Sequence, residues 1–138
     1  MTEKEKEDLR CNVLILVTTK SERQALEIAA KEAGLPFTRH KVPGVQRYYN
    51  LGTVGNTKVN AAPTEMGPLG HQGSAAKALM LTEKALDLRI ATAASGIIQL
   101  GMAFGIDPVS QRPGDVLVST SIIPYDNRDV IADNVETV

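Results

Sequence analysis

The chain has 138 residues, enough for one domain with a substantial core and too few for two ordinary ones. Its make-up, 43% hydrophobic and 22% charged with 11 glycines and 7 prolines, is that of a globular protein rather than a fibrous or low-complexity one. Fifteen Lys and Arg against sixteen Asp and Glu leave a formal charge of −1, which argues against a nucleic-acid surface built on bulk charge.

Residues 1–10, Met1-Thr-Glu-Lys-Glu-Lys-Glu-Asp-Leu-Arg10, alternate charge and read as a solvated, flexible lead-in to a domain over residues 11–138. They lack the apolar centre of a signal peptide, and no later apolar run approaches the roughly 20 residues that span a bilayer. A cytoplasmic protein with no membrane partner is the expectation. Cys11 is the only cysteine, so no internal disulfide and no cysteine-based metal cluster can form. It falls where a first strand begins, which fits a buried, inert thiol better than a reactive one. The two histidines, His40 and His71, show no metal-ligand spacing, and no zinc chemistry is expected.

Asn12-Val-Leu-Ile-Leu-Val17 is a continuous β-rich apolar run, the pattern of a strand covered on both faces inside a parallel or mixed sheet. Thr19-Lys-Ser-Glu22 follows at once and matches a capping box. The predicted helix presents Ala25, Leu26, Ala29 and Ala33 as one stripe and stops at Gly34, with Pro36 beyond. Leu35 to Gln46, with Pro36, Pro43 and Gly44, reads as a loop. Tyr48 to Val54 and Thr57 to Ala62 flank Gly55-Asn56 and predict a hairpin. The glycine-rich stretch from Met66 to Gly73 leads to a second predicted helix near Ser74, with Ala75, Ala78, Leu79, Thr82 and Leu86 on one face. Ile97 to Gly101 reads as a short buried strand, Ile106 to Gly114 as a polar loop, and Asp115-Val-Leu-Val-Ser-Thr120 as a last strand. The order β, α, hairpin, α, β, β predicts an α/β domain with a central mixed β-sheet flanked by helices.

Three places invite chemistry. Gly101-Met-Ala-Phe-Gly105 puts small residues at the carboxyl end of a strand, where open α/β sheets admit ligands to the backbone. Glycines required only for tight strand-to-loop geometry explain the same pattern. Gly67 to Ser74 precedes a helix and resembles an anion loop, yet it lacks the lysine of a nucleoside-triphosphate loop. An ordinary glycine-rich entry to a helix is the favoured reading. Glu22 needs no function as a capping acid; as an acid/base it has to face a pocket at the strand's carboxyl end, five residues past Val17.

Taken together, the segments resemble the family of purine nucleoside phosphorylases and methylthioadenosine/adenosylhomocysteine nucleosidases. Five features carry the likeness in order. Val13 to Val17 is followed by Ser21-Glu22 and Ala25-Leu26, and Tyr49-x-Leu-Gly52-Thr-Val-Gly55 comes next. Glu65-Met-Gly-Pro68, Leu100-Gly-Met-Ala-Phe-Gly-Ile-Asp107 and Gln111-x-x-Gly-Asp-Val-Leu-Val-Ser-Thr120 complete them. The phrase around Phe104 most resembles nucleosidase-like domains attached to bacterial signalling and anti-phage defence proteins, some of which remove adenine from adenine nucleotides.

The resemblance implies a nucleoside phosphorylase-like fold and cleavage of the N-glycosidic bond of a purine nucleoside or nucleotide, with no metal or organic cofactor. It puts Glu22 at the acid that positions the attacking water. Met66, with Gly67 beside it, falls on the ribose side of the ligand. Met102, Ala103, Phe104 and Gly105 fall on the turn that lines the purine pocket. Phosphorolytic members place an arginine and a serine around the phosphate where this chain has Gln99 and Met102, which favours hydrolysis.

The family also carries, beyond the matched part, a Met-Glu pair on the ribose hydroxyls and an aspartate that protonates the purine. No residue of Val130 to Val138 substitutes for them, so a truncated domain with part of an active site is the expectation. Such a piece should expose sheet edges and form a homo-oligomer. The alternative is a catalytically inactive module that binds a nucleoside or serves dimerisation.

Overall fold

The computed structural model describes residues 10–42, 45–65, 96–103, 105–121, 128–131 and 134–137. These fall into two compact units, residues 1–101 and 102–138.

In the first unit, strand β1 (Val13–Val17) runs into helix α1 (Lys20–Glu32), followed by strands β2 (Thr38–Val42), β3 (Val45–Val54), β4 (Thr57–Pro63) and β5 (Ile97–Leu100). The five strands form one mixed sheet in the order β2-β3-β4-β1-β5. β1 is parallel to β4 on one side, with Val13 opposite Val59, and parallel to β5 on the other, with Leu14 opposite Ile97. β2, β3 and β4 pair antiparallel. The apolar run of β1 thus occupies the interior parallel position that its composition predicts. This is an α/β arrangement with one helix among the described residues.

Period two sorts the sheet's side chains onto two faces. Val13, Ile15, Val59, Ala61, Tyr49 and Leu51 meet Leu26 and Ala30 of α1 in one core cluster. Phe37 stacks on Tyr49 there, with ring centroids 4.7 Å apart. The alternate positions Leu14, Leu16, Asn60 and Ala62 belong to the opposite face and are fully buried. Asn60 is reconciled with burial by accepting from the Asn50 amide at 2.9 Å across the β3–β4 pair. Cys11 is buried beside this sheet, and burial pushes its thiol up to about 11. The thiol is inert at neutral pH, as its place in the sequence suggests.

Two glycines shape β3 and β4. Gly55 adopts φ 61° in the turn between them, as the Gly55-Asn56 pair predicts. Gly52 adopts φ 72° where the β3–β4 register shifts. A Cβ there would sit 2.8 Å from Pro36 Cγ, so both conformation and space demand glycine.

Several expectations need correction. The supposed loop Leu35 to Gln46 contains β2 and the start of β3. Thr-Arg-His-Lys-Val carries no strand pattern of its own; it is a sheet edge, and β3 supplies the hydrogen bonds that make it a strand. The buried face of α1 centres on Glu22, Leu26 and Ala30, while Ala25, Ala29 and Ala33 are exposed. Ile97–Leu100 is a strand, but an exposed one, with Ile97 and Ile98 about half open to solvent. The predicted helix near Ser74 and the loop before it lie outside the described residues.

The second unit contains a short antiparallel pair, β6 (Arg128–Ile131) and β7 (Asn134–Thr137), which sequence reasoning did not anticipate. Asp115 to Thr120 is not a strand, although its composition predicts one. Val116 and Val118 are 86% and 85% exposed, and among the described residues no strand pairs with the segment. Without a ladder, β-propensity alone does not hold a strand. Among the described residues no helix is long and apolar enough to cross a membrane.

Candidate functional site

The parallel strands β4, β1 and β5 end on the same side of the sheet, and each hands over to a polar residue there. β1 ends in Val17 and is followed by Thr18 and Thr19; β4 ends in Pro63 and is followed by Thr64; β5 carries Gln99 next to its last residue. The amino end of α1 starts at the same place, so its partial positive charge adds to the polarity of the strand ends.

Glu22, in the first turn of α1, is buried, with 8% of its surface exposed. Its Oε2 accepts from the backbone N–H of Thr18 and of Thr19, both at 2.8 Å. In return the Thr19 hydroxyl accepts from the Glu22 N–H at 3.2 Å, completing the capping box read from the sequence. Two short, charge-assisted bonds on one oxygen fix the carboxylate's plane and direction. Oε1 is directed toward Gly101, where an added Cβ would meet it at 4.0 Å. The first glycine of the Gly101–Gly105 turn therefore borders the carboxylate.

A chain of side-chain hydrogen bonds runs from Thr18, whose N–H donates to Glu22, to the neighbouring strand ends. The Thr64 N–H donates to the Val17 carbonyl at 2.8 Å, and its hydroxyl donates to the same carbonyl at 3.4 Å. The Thr64 and Thr18 hydroxyls share a hydrogen bond at 3.0 Å. The Gln99 amide donates to the Thr18 hydroxyl and to the Leu16 carbonyl, each at 3.4 Å. Thr64 is itself buried. Thr18 and Thr64 were not singled out by sequence reasoning. The available signal was their position, a hydroxyl directly after the last residue of an apolar strand.

The other expected site residues divide differently. Met66, Gly67 and Phe104 lie outside the described residues. Met102, Ala103 and Gly105 are described in the second unit and are exposed, Met102 to 74%. Ala103 and Gly105 line a concavity of about 420 Å³ with Pro108, Gln111, Arg112 and Leu117. A Cβ on Gly105 would approach the Gln111 side chain to 3.2 Å, so this glycine answers a local packing need. Glu22 belongs to the first unit and Met102, Ala103 and Gly105 to the second.

The turn after Gly105 is built from its own side chains. Gln111 Oε1 accepts from the N–H of Ile106 at 2.7 Å and of Asp107 at 3.0 Å. The Asp107 carboxylate accepts from the Ser110 hydroxyl and the Val109 N–H, which hold it below the usual carboxylate range. His40 is an exposed edge residue that bonds the Thr38 hydroxyl at 3.0 Å and stacks on Tyr48. Among the described residues no three His, Cys, Asp or Glu side chains gather as metal ligands would.

What the first unit offers chemically is one buried, rigidly oriented carboxylate at the carboxyl end of a parallel strand set, bordered by hydroxyls, an amide and a glycine. Such a group can orient a water and take its proton. No protein-family model matches the chain, and neither a curated protein nor a solved structure is similar to it.

Proposed function

We propose that the chain has a nucleoside phosphorylase-like fold and hydrolyses the N-glycosidic bond of a purine nucleoside or nucleotide. The observation that carries this reading is the buried Glu22 carboxylate, held at the strand ends beside Gly101. Ligands of open α/β sheets bind at the carboxyl ends of their strands. In the proposed reaction Glu22 orients a water whose oxygen bonds to the anomeric carbon. The carbon–nitrogen bond breaks with its electron pair leaving on the purine, one proton of the water passes to the Glu22 carboxylate, and the departing base takes its proton from solvent water. Gln99 supports water over phosphate as the nucleophile: it is uncharged, and its amide donates to Leu16 and Thr18.

The test follows free adenine from adenosine, methylthioadenosine and ATP with the 138-residue protein and with Glu22→Gln. The glutamine oxygen can still accept the two capping bonds but cannot take a proton. Release by the parent protein, reduced about 100-fold or more in the variant at nearly unchanged stability, is the expected result. No release at high protein concentration would sink the reading.

One observation favours a second reading, a module that binds a nucleoside without cleaving it. The capping box already gives Glu22 a complete structural task. Calorimetric binding of adenosine with no adenine formed would establish this alternative. Homo-oligomerisation belongs to either reading and is supported by exposed Ile97, Ile98, Val116 and Val118. Sedimentation as a monomer at all concentrations would remove it.

A further inference from the structure

We propose that Thr64 and Gln99 are positioning residues that aim the Glu22 carboxylate by gripping Thr18 from both sides of β1. The inference rests on the reading of Glu22 as the water-orienting acid, and deepens it.

Two backbone N–H groups, those of Thr18 and Thr19, donate to the Glu22 carboxylate. Both amides belong to the two-residue link between β1 and α1, so the direction of the carboxylate follows the direction of that link. A short link between a strand and a helix has backbone freedom unless a side chain ties it down. The capping box ties this link to α1, and the Thr18 hydroxyl ties it to the neighbouring strands.

From the β4 side, Thr64 holds that hydroxyl at 3.0 Å. Thr64 is well anchored for the task, since its own N–H is bonded to the Val17 carbonyl at 2.8 Å and its side chain is buried. From the β5 side, the Gln99 amide reaches the same hydroxyl at 3.4 Å and the Leu16 carbonyl at an equal distance. The Thr64 bond is the stronger by geometry, and the longer Gln99 contacts make a weaker second arm. The bridge joins the ends of β4, β1 and β5 through side-chain pairs that lie 46 positions apart in sequence for Thr18 and Thr64 and 81 for Thr18 and Gln99. None of its members other than Glu22 has to touch a ligand. The polar residues at these strand ends therefore have a specific joint role, conversion of sheet rigidity into carboxylate direction.

The experiment compares Thr64→Val, Thr64→Ser and Gln99→Met in the full chain, reading the Thr18 and Thr19 amide resonances and their hydrogen exchange by NMR beside adenine release. Thr64→Val keeps the shape and removes the hydroxyl. It should speed exchange of the Thr18 and Thr19 amides about fivefold relative to those of β1, and lower kcat about fivefold with little change in KM. Gln99→Met should act in the same direction and less, and Thr64→Ser should restore both readouts. If Thr64→Val does not fold, Gln99→Met reads the same amides. Unmoved Thr18 and Thr19 amides in the hydroxyl-free and amide-free variants, or a serine variant as impaired as the valine one, would overturn the proposal. If the parent protein releases no adenine, the hydrolase reading fails, while the amide measurements still decide the clamp.

Discussion

Two stretches of this chain carry strong sequence patterns, the β1–α1 segment and the run from Gly105 to Thr120, and they are stabilised in opposite ways. The first is held by bonds between distant residues: Thr18 to Thr64, Asn12 to Lys58, and Gln99 to Leu16. The bonds described for the second are local, joining Ile106 and Asp107 to Gln111, Val109 and Ser110 to Asp107, and Arg112 to Asp115. A local turn fixes its own shape. Only the long-range set fixes a side chain against strands from elsewhere in the chain, which is what holding the Glu22 carboxylate in one direction requires.

The largest expected contrast lies in stability. Leu14 is fully buried in β1, and Leu14→Ala should cost about 2–5 kcal/mol in urea denaturation. Val116→Ala and Val118→Ala remove comparable apolar groups that are exposed, and each should stay within about 0.5 kcal/mol. A loss at Val118 as large as that at Leu14 would break the comparison, because it would mean that Asp115 to Thr120 is covered in solution.

A smaller effect is expected at the cap. Thr19→Ala removes the hydroxyl that accepts from Glu22 N–H and should cost about 1 kcal/mol. Glu22 keeps its bonds from the Thr18 and Thr19 amides, so adenine release should fall less than in Glu22→Gln. Equal losses in the two variants would count against the proposed proton-accepting role of Glu22.

The same contrast explains what the sequence makes legible. β1, the capping box and the Gly55-Asn56 hairpin are announced by local signals: an unbroken apolar run, Thr19 three residues before Glu22, and a turn pair between two β-rich runs. β2 is illegible because Thr-Arg-His-Lys-Val becomes a strand only through β3. Asp115 to Thr120 fails in the reverse sense, having the pattern without the described partner. At the site, Glu22 can be found from its spacing to Val17. Thr18 and Thr64 cannot be joined from sequence, since their contact depends on β1 and β4 lying parallel with Val17 opposite Pro63.

The smallest effect concerns the self-contained turn and its pH dependence. Asp107 is held below the usual carboxylate range by the Ser110 hydroxyl and the Val109 and Ser110 N–H groups, all of which favour its charged form. A carboxyl whose folded value is depressed contributes to the turn at pH above its ordinary value of about 3.9, and the contribution is lost as pH falls through the folded value. The Val109 and Ser110 amides should thus keep their resonance positions from neutral pH down to that range and move only below it. In Asp107→Ala they should be displaced at every pH. The Thr18 and Thr19 amides should not respond to the Asp107→Ala change, because every described partner of Asp107 lies within four residues of it. A matching shift at Thr18 would show that the two regions communicate, and the division between a locally held turn and a long-range-held site would fail at that point.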